Sequence, residues 1–97
     1  MSVHAEYGRA LQVFTAHVRG LADPRARDWT RALEAARVDA DRDLSSAARA
    51  CLAALDSIER SWVADAASGA GPPVASALRD AFEHLHAHCR IVLGLPR

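Results

Sequence analysis

The sequence predicts an all-α protein, an antiparallel four-helix bundle, and three observations carry that expectation. Apolar residues recur at three- and four-residue spacing along most of the chain, which is the signature of helices with one buried face. Glycine and proline gather in a few short stretches that punctuate those runs. No segment alternates apolar and polar residues as a half-buried strand would. At 97 residues the chain suits one domain, 1–97.

The first helix is expected near 2–21. Ser2 supplies an N-cap, and Val3, Tyr7, Ala10, Leu11, Phe14, Val18 and Leu21 form one apolar stripe. Gly20 loosens its end. Asp23-Pro24 then restarts the chain, with Asp23 as cap and Pro24 in the first helical position, for a second helix near 24–41.

No glycine or proline occurs between Arg25 and Ser68. Trp29, Leu33, Ala36, Ala40, Leu44, Ala47, Cys51, Leu55, Ile58 and Trp62 continue one stripe across that length, so a single long helix over 24–67 is the alternative architecture. Such a helix would run about 60 Å at 1.5 Å per residue. The two flanking helices could not cover it, and a dimer partner would be required. A break inside "VDADRDLSS" is favoured instead, because Asp43 or Ser45 can cap a third helix near 44–67 and four comparable helices then close on themselves. "SGAGPP" marks the next loop, and a fourth helix near 73–93 ends at Gly94 before Pro96. Phe14, Trp29, Trp62 and Phe82 are the expected large core residues.

Composition narrows the function classes. The chain is 51% hydrophobic but only 5% aromatic, and alanine dominates the apolar share. Alanine promotes helix while burying little area, so the core is thin and association would supplement it. Twelve acidic residues balance twelve basic ones, all of them arginine. Neutral charge argues against a nucleic-acid surface, and the arginines of the second helix are diluted by Asp28, Glu34, Asp39, Asp41 and Asp43. Arginine without lysine, in an alanine-rich chain, suits a bacterial coding bias. No stretch reaches the length of a membrane span and no signal-peptide core opens the chain, so a cytoplasmic setting with reduced Cys51 and Cys89 is expected. Both cysteines fall on apolar stripes and read as buried, inert thiols.

Candidate chemistry concentrates in "HLHAHC", residues 84–89. On a helix His84 and His88 share a flank, while His86 lies on the other side of the apolar centre. In an up-down-up-down bundle the first helix brings His4 toward the level of His88. A set built from His84 and His88 with His4 or Cys89 could therefore hold zinc, nickel or copper. The favoured reading needs no cofactor: His84 and His86 solvated, His88 at the edge of the core. Glu83-x-x-His86 resembles a di-iron spacing, but Glu83 points to solvent. "DADRD" lacks the glycine and the distal glutamate of a calcium loop. No phosphate-binding glycine loop, zinc-protease motif or serine elbow is present, which argues against an enzyme.

Apolar residues outside the stripes point to self-association. Val13, Ala16 and Gly20 form a second strip on the first helix, and Ala35 with Val38 does so on the second. The expected function is a non-catalytic helical interaction or regulatory module, working as a homodimer through these residues, with room for a further protein partner.

Overall fold

The computed structural model describes residues 2–69 and 74–96. Four helices make up the described fold: α1 (Val3–Arg19), α2 (Ala26–Asp39), α3 (Leu44–Ser68) and α4 (Ser76–Val92), with no strand among the described residues. They pack in a ring, α1 on α2, α2 on α3, α3 on α4 and α4 back on α1, within extents of 40 × 26 × 20 Å. This is the compact four-helix bundle predicted, with α1 and α4 sharing the most extensive contact.

Each boundary has a local cause. Ser2 caps α1: its Oγ accepts the Ala5 amide at 3.1 Å. The continuous helix over 24–67 does not form. Residues 40–43 leave the α2 ladder in a turn, with the Asp43 amide donating to the Asp39 carbonyl at 2.9 Å. Asp43 then takes extended backbone angles and caps α3, accepting from the Ser46 amide at 3.2 Å. At the far end, Gly69 adopts φ 70 in the left-handed region, where a side chain would be strained.

Two starts come later than the sequence suggests. Asp23 is not the cap of α2 and Pro24 is not its first residue: Asp23 accepts the Arg25 amide at 2.9 Å and closes a tight turn through Pro24, and the N-cap position falls on Arg25 without a side-chain cap bond. Regular helix begins at Ala26, because the first four-residue bond runs from the Trp29 amide to the Arg25 carbonyl. α4 begins at Ser76 and not near 73, since Ala75 is still extended; Pro73 lies outside the described residues. Its C-terminus is a Schellman motif. Gly94 sits at φ 69, the Leu95 amide donates to the Arg90 carbonyl at 2.9 Å, and the Gly94 amide donates to Ile91 at 3.0 Å.

Phe14, Trp29, Trp62 and Phe82 are all buried, as expected. Phe82 is their hub. Its ring meets Phe14 edge-on at 5.7 Å and Trp62 at 5.3 Å, joining α1, α3 and α4. Leu11, Leu33, Leu55, Ile58 and Leu85 fill the remaining interior with no exposure. Val3 departs from its predicted place on the α1 stripe and is 43% exposed, because it occupies the first residue of the helix, above the packed layer.

Candidate functional site

The histidine-rich segment lies on the C-terminal half of α4, and the bundle sorts its imidazoles by helix face. Leu78, Phe82, Leu85 and Cys89 turn inward. His84 and His88, one turn apart, meet edge-to-face with ring centroids 4.6 Å apart. His84 is exposed; His88 is half-buried, and its Nδ1 is buried without a hydrogen-bond partner among the described residues. His86 is not the solvated residue the sequence suggests. It is half-buried and stacks on Phe82 at 6.0 Å, covering the aromatic hub from outside. Glu83 is exposed.

The other two proposed ligands go elsewhere. His4 turns its Nε2 toward Asp41 Oδ1, 3.8 Å away, at the α2–α3 turn. Cys89 is fully buried in the core. Among the described residues, no three histidine, cysteine or carboxylate groups come together as a set able to hold a metal ion.

Cys89 has a different set of neighbours. It lies beside Cys51 of α3, and Tyr7 of α1 completes the group; all three have zero exposure. The adjacent Cys51 thiol, and then burial, push the Cys89 thiol well above its usual range. Burial, and then the two sulfurs, raise the Tyr7 phenol. Tyr7 Oη is buried with no hydrogen-bond partner in good geometry among the described residues. The sequence places each thiol on an apolar stripe but does not pair them. One signal was available: in antiparallel α3 and α4, Cys51 and Cys89 lie at comparable distances from the connection between the helices.

The predicted interface residues behave more simply. Val13 is 47% exposed and Val38 57%, and Ala16, Gly20 and Ala35 are exposed on the outer side of α1 and α2. Beside them a groove of about 350 Å³ runs between Gly8, Gln12 and Thr15 of α1 and Leu33 and Arg37 of α2. Arg19 and Glu34 form an ion pair across it.

A second concavity, unforeseen from sequence, opens at the end of the bundle where α3 stops and α4 starts. It measures about 1250 Å³, and its walls include His17, Leu21, Trp62, Val63, Leu78 and Arg79. The Arg79 guanidinium lies over the Trp62 ring, 5.7 Å from its centroid. Arg25 binds Asp65 across the same end, at 2.7 Å, and stands over Trp29 at 5.1 Å. No helix among the described residues is long and apolar enough to cross a membrane. Comparison with protein-family models, with curated proteins and with solved structures finds no match to this chain.

Proposed function

We propose that the chain is a non-catalytic interaction module of the bacterial cytoplasm that works as a homodimer, its interface on the outer side of α1 and α2. The observation that carries this reading is the exposure of Val13 and Val38 beside Ala16, Gly20 and Ala35, on helices whose other faces are already packed. Ala16 and Gly20 on the helix of Val13, and Ala35 on that of Val38, are small exposed residues that would let a second pair of helices approach closely.

A thin alanine-rich core leaves surface that association would remove from water. A standard interface takes about 800 Å² from each partner, so one whole face of the α1–α2 hairpin is needed. Zero net charge opposes no such contact. Exposed Arg9, Arg27 and Arg31 on these two helices, with the half-buried Glu6, supply both signs for a symmetric pairing.

Light scattering on a size-exclusion column tests this directly. A particle of twice 10.4 kDa at tens of micromolar chain is expected, and Val13→Glu with Val38→Glu is expected to dissociate it while the far-ultraviolet circular dichroism stays helical. A monomer under those conditions overturns the reading. A dimer untouched by both substitutions moves the interface off α1 and α2.

A further inference from the structure

We infer that His84 and His88 form a two-imidazole site for a zinc ion, with water in its remaining positions. The pair is what the fold leaves of the ligand set expected from sequence, since His4 turns toward Asp41 and Cys89 enters the core. One helical turn separates the two residues on a flank of α4. Their ring centroids lie 4.6 Å apart, with the planes inclined at 77°. Two imidazoles bound through nitrogen to one zinc, each at about 2.0–2.1 Å, hold their centroids about 5 Å apart at a tetrahedral angle. The helix has thus already brought both rings to chelating separation, and the backbone need not move. His84 is exposed, so rotation of its side chain is free to aim its nitrogen.

His88 supplies the second observation. Its Nδ1 is buried with no hydrogen-bond partner among the described residues, a state that costs folding free energy. A half-turn about Cβ–Cγ, a broad two-fold torsion, exchanges that nitrogen with Cδ2–H. It carries the nitrogen to the opposite edge of the ring, away from the apolar interior. A coordinate bond there replaces an unmet polar group.

The donors select the ion. Neutral imidazole nitrogens suit zinc, nickel and copper(II), whereas magnesium and calcium seek oxygen. Zinc has no d-electron preference for a planar arrangement, so it accepts the angle that two residues on one turn impose. No third protein donor joins the pair among the described residues, and water completes the four positions. Exposed Asp80, one turn before His84 on the same flank, adds attraction for a cation. Both donors belong to α4, so the site stands whether or not α1 and α2 pair with a second copy.

The test is equilibrium dialysis of the full chain, made without a histidine tag, against zinc(II) under a reductant that is not a thiol. About one zinc per chain is expected, with a melting midpoint that rises as zinc increases. Magnesium should leave the midpoint unchanged. His84→Ala and His88→Ala should each weaken zinc binding at least about tenfold, because half of the chelate is gone. His4→Ala and His86→Ala should not change it. Melting of the unsubstituted chain with and without zinc gives an answer even if a variant fails to fold. No saturable zinc, or zinc held equally well by the His84→Ala and His88→Ala variants, overturns the proposal. So does loss of zinc in His4→Ala. One zinc per two chains also overturns it, because half of the ligands would then come from a second copy.

Discussion

Asp43 holds Ser46 twice: its carboxylate accepts the backbone amide at 3.2 Å and the side-chain hydroxyl at 2.8 Å. That pair starts α3, and it is the physical reason the apolar stripe from Trp29 to Trp62 is split between two helices. Removing the carboxylate leaves amide groups of the first turn without a partner. Asp43→Ala is expected to lower the melting midpoint by a few degrees, and Asp43→Asn or Asp43→Ser to recover most of the loss. An unchanged midpoint for Asp43→Ala would mean that packing alone sets the break.

The same carboxylate predicts an acid limit. Hydrogen bonds from Ser46, side chain first and backbone second, hold Asp43 below its ordinary value of 3.8. Asp23 is likewise lowered, first by the Arg25 side chain. For both groups the unfolded state takes up protons before the folded one. Their stabilisation is complete above pH 3.8 and is lost as the pH falls through the lower folded values. Urea unfolding from pH 6 downward should show a stability decline that begins near pH 4 and is shallower in Asp43→Asn. A decline of the same depth in that variant would exclude the cap as a contributor.

Leu55 and Val63 lie on the same helix and separate core from surface. Leu55 has no exposure and Val63 has 64%. Leu55→Ala should cost about 2–5 kcal/mol, because it opens a cavity that rigid helices cannot close. Val63→Ala should stay within about 0.5 kcal/mol, as surface substitutions do. Chemical denaturation of both variants checks the pair. Equal losses would mean that Val63 is covered, as it would be if the end of the bundle were an interface.

These contrasts explain how much of the fold could be read beforehand. Caps and breakers act over three or four residues, so Ser2, Asp43, Gly69 and Gly94 announce themselves in sequence. Apolar stripes identify Phe14, Trp29, Trp62 and Phe82 as core without any knowledge of neighbours. The relationships between helices are different in kind. That Cys51 meets Cys89, that His86 lies on Phe82, and that His4 turns to Asp41 all depend on register and rotation between helices distant in sequence. A hydrophobic period does not encode them. The α2 start shows the local limit: a Pro after an Asp signals a turn and a helix equally well, and here the turn comes first.

Arg25 ties the α1–α2 connection to α3, bonding Asp23 and Asp65 at 2.7 Å each. Arg25 and Asp65 are substantially solvated and Asp23 less so, which screens the Arg25–Asp65 attraction. A double-mutant cycle with Arg25→Ala and Asp65→Ala should give a coupling of at most about 1 kcal/mol, falling further in molar salt. Arg25→Ala alone should cost somewhat more than the coupling, since the guanidinium also covers the Trp29 ring. A salt-insensitive coupling well above that limit would indicate a pair shielded from water.

Tyr7→Phe provides the last contrast, in the reduced protein. The substitution keeps the ring that fills the junction of α1, α3 and α4 and deletes only a buried hydroxyl without a partner among the described residues. Removing an unsatisfied polar group abolishes its desolvation cost, so the variant should be as stable as the parent or up to about 1 kcal/mol more stable. Leu11→Ala, one helical turn along the same face and also without exposure, should by contrast lose about 2–5 kcal/mol. Urea denaturation under a reductant measures both. A loss above about 2 kcal/mol for Tyr7→Phe would show that the hydroxyl is strongly bonded within the core.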